Sequence, residues 1–224
     1  MAQTNGATIH AARSPRPNHV NSCTAILLAA GQSKRMGAFK PLLPFGKKTV
    51  IEYCIDYLRE GGVETIVVVL GHRADEVRKK LANHDLTFAL NPDPNSEMGA
   101  SIAAGVRALS ATAKATLIAL CDHPAVPASV VAGLIDAWIN GARLVIPTWQ
   151  NRGGHPVLVD LSLKSELLNL STSGGLRTLF DKYPSDIQRI EVDSPFIARD
   201  MDTWDDYLTL HREATGEPAP DPLI

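Results

Sequence analysis

Between residues 27 and 46 the chain reads LLAAGQSKRMGAFKPLLPFG, placing Lys34, Arg35 and Lys40 among glycines directly after an apolar run. Gly31 and Gly37 let the main chain turn inward, and consecutive amides can then form an anion-binding concavity. Arg35 would meet phosphate oxygens with a fork and Lys40 with a point charge. The composition predicts a polyphosphate site. It is neither a G-x-x-x-x-G-K-[ST] loop nor a G-x-G-x-x-G fingerprint, both of which are missing. A basic surface loop with turn glycines is the plainer alternative.

Two acids could complete such a site. Asp122 ends the apolar run TLIAL in the segment CDHP, where a carboxylate serves no purpose in the fold and is well placed to hold a cation. Mg²⁺ takes one or two carboxylates together with substrate phosphates, so a second acid is expected. Asp202 in RDMDTWDDY is the candidate, although an Asp before Thr at a helix start can equally be an N-cap. His155 in RGGHP follows Gly153 and Gly154, which could bring backbone close to a ligand. His72, His123 and His155 are isolated in sequence, and no metal triad or Ser-His-Asp arrangement is read from them.

These residues need elements to carry them. Short β-branched runs alternate with longer amphipathic ones: strands are predicted at 24–30, 65–70, 86–90, 115–120 and 143–147, with helices at 50–60, 74–81, 99–109 and 128–140. Runs such as TIVVVL, apolar on both faces, belong in a parallel sheet covered by helices on each side. The fold class is therefore α/β, with a mostly parallel sheet and right-handed crossovers. In such sheets ligands bind beyond the carboxyl ends of the strands, where the 31–40 loop, CDHP and RGGHP would lie. After 147 the alternation loosens into a strand at 155–160, helices at 162–168 and near 175–182, a strand at 187–192 and a closing helix at 203–211.

The 224 residues carry 22 Lys and Arg against 24 Asp and Glu, so nothing global points to nucleic acid or a membrane surface. Any anion site must be built locally. Cys23, Cys54 and Cys121 are scattered, which argues against a disulfide framework and fits a reducing cytoplasm. Residues 1–22 lack the apolar stretch of a signal peptide and are expected to form a disordered tail. Residues 23–212 are expected to form a single domain, and 213–224 a flexible tail.

With these motifs in order, the chain resembles the MobA-like nucleotidyltransferases, and within them the molybdenum cofactor cytidylyltransferase branch, whose members carry LAAGxSxRMGxxK. The likeness runs from 25 to 210 through VVVLGHRADEV, NPDPNSEMGASIAAGV, LCDHP, RGGHPVLV and RDMDTWDDY. It implies a Rossmann-like three-layer fold and an Mg²⁺-dependent transfer from CTP to a molybdopterin-type phosphate. LAAG in place of LAGG implies cytidine rather than guanosine. Carried over, Leu28, Ala29, Ala30 and Gly31 would border the nucleotide, with Arg35 and Lys40 on its phosphates. Gly99 and Ser101 would lie near base or ribose, Asp122 and Asp202 would hold the metal, and Gly153, Gly154 and His155 would face the acceptor. His123 stands where Gln is common and Trp204 where Pro is common. A sugar phosphate or other alcohol phosphate as acceptor, or a non-catalytic factor serving a molybdenum oxidoreductase, are the alternatives.

Overall fold

The computed structural model describes residues 22–33, 35–93, 95–170 and 174–220. The expectations placed on Lys34, on 1–21 and on 221–224 lie outside the described residues. The first strand, β1 (Cys23–Ala29), is central because its side chains are apolar on both faces. Ala25, Leu27 and Ala29 pack into one core, whereas Ile26 packs into the other. The two-residue period of a strand produces this split, and both faces must therefore be covered.

The chain leaves β1 through an irregular segment and a small hairpin, β2 (Pro44–Phe45) and β3 (Lys48–Thr49), before α1 (Val50–Glu60). Thr49 and Glu52 form a capping box, with the Thr49 amide donating to the Glu52 carboxylate at 2.8 Å, so the helix starts at Val50. Its residues Ile51, Cys54, Ile55 and Leu58 face the sheet at helical spacing. Then follow β4 (Thr65–Leu70), α2 (Ala74–Lys80), β5 (Thr87–Leu90), α3 (Met98–Arg107), β6 (Ala115–Leu120) and α4 (Ala128–Ile139). Strand β1 lies parallel between β4 and β6, with β5 beyond β4. The chain thus fills one side of β1 and then the other, which opens a crevice at the carboxyl end of β1.

The remaining strands are β7 (Leu144–Trp149), β8 (Arg152–Gly153), β9 (Val157–Asp160) and β10 (Ile187–Glu191). Their sheet order is β10-β7-β9-β6-β1-β4-β5, with β8 paired to β7. Strand β9 is antiparallel to both β6 and β7. The link between β7 and β9 is too short for a crossover, which needs a dozen residues or more, so the chain must double back. Helices α5 (Lys164–Leu168) and α6 (Gly175–Lys182) join α3 over one face, while α1, α4 and α7 (Trp204–Thr215) cover the other.

Helix α3 lies close to β1 because Gly105 has no side chain: a Cβ there would sit 2.5 Å from Cγ2 of Ile26. Ile26 is β-branched and fully buried, so it has little room to yield. Gly105→Ala should lower stability by roughly 1–3 kcal/mol despite its better helix propensity. Equal or higher stability in urea unfolding would show that the layer spacing does not depend on this contact.

Candidate functional site

The carboxyl ends of β1 and β6 are adjacent, with Leu28 paired to Leu120 and the Cys121 amide donating to the Leu28 carbonyl. Beyond them opens a cleft of about 280 Å³. Leu28, Ala29, Ala30, Gly31, Lys40, Ser101 and Asp122 all line it. The loop from 31 to 40 is tied down by burial of Met36 and Phe39. Gly37 sits at φ +70°, a left-handed conformation that favours glycine. At the loop's end a 3₁₀ turn, Lys40–Leu42, begins with the Lys40 amide donating to the Ser33 hydroxyl at 3.3 Å. The Lys40 side chain lines the cleft and ends at Asp202.

Asp202 arrives from the far end of the sequence. The Met201 amide donates to the Asp122 carbonyl at 3.2 Å, and Met201 itself is fully buried, so residue 202 is held beside 122. The N-cap of α7 is Thr203, whose hydroxyl accepts from the Asp206 amide while the Asp206 carboxylate accepts from the Thr203 amide. Capping duty therefore falls on Thr203, and the Asp202 carboxylate is free for other partners.

Those partners are the two cations of the opening motif. The Lys40 ammonium lies 2.7 Å from Asp202 and 4.0 Å from Asp122, and an Arg35 guanidinium nitrogen lies 2.6 Å from Asp202. The Lys40 side chain is 11% exposed, the carboxylates of Asp202 and Asp122 are 20% and 31% exposed, and Arg35 is 75% exposed. One nearly buried ammonium thus spans two half-buried carboxylates, with a solvated guanidinium at the edge. Two hard oxygen donors beside an open cleft fit Mg²⁺ or Mn²⁺, which keeps waters and takes phosphate oxygens for its other positions. Asp122 and Asp202 are the residues that would hold such an ion. No group of three or more His, Cys, Asp or Glu side chains among the described residues is arranged as a ligand cage.

Gly99, on α3 between the cleft-lining Met98 and Ser101, does not itself line the cleft but a neighbouring hollow with Leu168 and Leu170, the two sharing Asn91. Gly153, Gly154 and His155 do not line the cleft either. Gly154 is pressed against the 195–198 turn, where a Cβ would meet the Ile197 carbonyl oxygen at 2.3 Å, and the His155 amide donates to that same oxygen. The His155 ring faces that of His123 at 5.8 Å, and His123 Nε2 lies 3.7 Å from Asp122. His155 therefore stands behind Asp122.

Asn91, which the motif reading passed over, sits in the cleft wall. Buried at the end of β5, it donates to the hydroxyls of Ser96 and Ser101 at 2.7 and 2.8 Å and fixes the wall in place. Its place directly after the third predicted strand was the available signal.

A scan of family models matches residues 25–187 to the MobA-like NTP transferase domain. The chain belongs to that family. A curated relative, nicotine blue oxidoreductase of Paenarthrobacter nicotinovorans, is 30% identical over 84% of this chain and 95% of its own. The molybdenum cofactor cytidylyltransferase of Escherichia coli K12 is 25% identical over 88% of this chain and 99% of its own. Among solved structures, the Mycobacterium sp. strain JC1 homologue of a Mycobacterium tuberculosis protein superposes with a TM-score of 0.77 at 31% identity, covering 88% of this chain and 98% of that one. The M. tuberculosis protein itself, crystallised with manganese, gives 0.74 at 25% identity over 85% and 98%. Family and fold together make this chain a nucleotidyltransferase of the MobA-like type. Among the described residues no helix is long and apolar enough to cross a membrane.

Burial, reinforced by neighbouring His123, lowers the pKa of His155 to about 4. In the unfolded chain the imidazole protonates near 6.5, so between these values protons favour unfolding. The stabilising contribution is complete above pH 6.5 and is lost as the pH falls towards 4, amounting to roughly 3 kcal/mol. His155→Phe should flatten the fall in stability between pH 7 and 4.5, read by urea unfolding across that range. An unchanged slope would place the acid sensitivity elsewhere.

Proposed function

We propose that this chain transfers the cytidylyl group of CTP to the terminal phosphate of a molybdopterin-type acceptor and releases pyrophosphate. The observation that carries this reading is the Lys40 ammonium set between Asp122 and Asp202 at a cleft walled by the Leu28–Gly31 backbone. It is supported by the cytidylyltransferase relative, which aligns over nearly its whole length, and by LAAG in place of LAGG.

In this reading an acceptor phosphate oxygen attacks the α-phosphorus in line, and the bond to the bridging oxygen of pyrophosphate breaks. A phosphate nucleophile is already ionised near neutral pH, so no general base is required of the chain. Leu28 to Gly31 border the nucleoside, with Ser101 and the Asn91-held wall facing base or ribose. Arg35 and Lys40 bind the phosphates and offset the charge that builds on the leaving group. A divalent cation at Asp122 and Asp202 would add further charge neutralisation. His155 backs the Asp122 loop through the His123 ring, and Gly153 remains exposed for an acceptor approaching that edge.

The 30%-identical relative named as an oxidoreductase favours a second reading, in which the same cleft serves a hydride transfer. The chain has no G-x-G-x-x-G dinucleotide fingerprint, and its paired carboxylates and cations suit a polyphosphate. Transfer to a sugar phosphate or other alcohol phosphate, and delivery of a cofactor to a molybdenum oxidoreductase without catalysis, are separated from the main reading by one assay. The chain is incubated with each triphosphate, Mg²⁺ and either molybdopterin or a sugar phosphate, and pyrophosphate is measured. Release is expected with CTP and molybdopterin. Arg35→Ala and Lys40→Ala should each reduce turnover about ten- to a hundredfold, since charge-assisted contacts are worth about 1.5–3 kcal/mol. Asp122→Asn should abolish it without unfolding the chain. No release with any pair, or near wild-type rates in Asp122→Asn, would overturn the reading.

A further inference from the structure

The four charges of the site neutralise one another in the free chain. Asp202 holds both Lys40 and Arg35, and Lys40 also faces Asp122. The groups assigned to phosphate are thus bound to the groups assigned to metal. We propose that Lys40, assisted by Arg35, is an internal counter-ion that occupies the two carboxylates until nucleotide draws it away, so that triphosphate and divalent cation reinforce each other's binding. The proposal rests on the nucleotidyl-transfer reading of this site and adds an order to its assembly.

The reason is the burial of Lys40. An ammonium that is 11% exposed cannot surrender its carboxylates to another cation and remain unpaired without a heavy penalty. A metal ion arriving alone must displace it, and a triphosphate arriving alone must leave Asp122 and Asp202 facing each other uncompensated. When both arrive, the ammonium passes to phosphate oxygens and the carboxylates to the metal, and every charge keeps a partner. By linkage the benefit is reciprocal, and couplings of this kind commonly span about 5- to 150-fold in affinity. Triphosphates bind divalent cations in solution, so each ligand has to be tested alone.

The test is the affinity for Mn²⁺ without nucleotide, by equilibrium dialysis with electron paramagnetic resonance of the free ion. Lys40→Met should bind Mn²⁺ at least about fivefold more tightly than wild type, because the competing cation is gone. Lys40→Arg, which restores a charge, should return the affinity towards the wild-type value. A side chain that only supported the fold would give weaker binding on truncation. Should Lys40→Met fail to fold, Arg35→Gln, altered at a largely solvated side chain, should tighten Mn²⁺ by a smaller factor. In the opposite arm, Asp202→Asn should bind CTP in excess EDTA more tightly than wild type. Mn²⁺ affinity that is unchanged or weaker in the folded Lys40 and Arg35 variants overturns the proposal. That result alongside wild-type pyrophosphate release leaves the transfer reading intact, whereas tighter Mn²⁺ binding without any release sinks the transfer reading and keeps the counter-ion.

Discussion

The site is organised around one ammonium group. Lys40 has to lie where a single nearly buried charge reaches carboxylates from two distant parts of the chain, 2.7 Å from one and 4.0 Å from the other. Two acids that close would repel each other in a half-buried setting without it. The ion pair therefore brings together a loop after the first strand, a loop after the sixth and the entrance to the last helix. Those three segments are separated by more than 160 residues of chain between Lys40 and Asp202.

The sheet makes that convergence possible. Parallel pairing of β1 with β4 and β6 directs their carboxyl ends to the same edge. The two-faced apolar pattern of β1 buries it centrally, and the chain's change of side around β1 leaves the crevice that the glycine-rich loop enters. The late elements then close the circuit. Tyr207 of α7 donates its hydroxyl to the Pro44 carbonyl at 2.6 Å, and the Gly46 amide donates to His211 Nε2 at 3.0 Å. The closing helix is thus anchored on the β2–β3 hairpin that follows Lys40, and the segment leading into it holds Asp202 against Lys40 at the edge of the cleft. Docking of α7 and placement of the second carboxylate are one structural event.

Much of this was legible in residue order. The strand at Thr65–Leu70 and the helix at Val50–Glu60 follow directly from an apolar run and from apolar residues at helical spacing, whereas the Thr49–Glu52 capping box that starts the helix was passed over. The acids at 122 and 202 are recognisable from strand-end and helix-start positions. Other features depend on contacts between distant segments. The β2–β3 hairpin consists of two-residue strands packed on both α1 and the distant α7, with the Phe45 ring against Tyr53 and His211, so local pattern carries little of it. The reversal of β9 could have been read from the short link after β7, but apolar character alone does not give strand direction. His155 carried a ligand-like motif, yet Gly154 is required by close packing on Ile197, and this turns the ring inward towards His123. The ion pairing among Arg35, Lys40, Asp122 and Asp202 was not legible at all, since sequence reading assigns phosphate and metal groups separately and says nothing of what they do without ligand.

The most direct measurement of that pairing is a double-mutant cycle on unfolding free energy without ligand, using Lys40→Met, Asp202→Asn and the double variant at neutral pH and low salt. A charge-assisted contact at 2.7 Å that is largely shielded from water predicts a coupling of about 1–3 kcal/mol. Single effects that add to within about 0.3–0.5 kcal/mol would mean that the two side chains do not hold each other, and would contradict the account of the site.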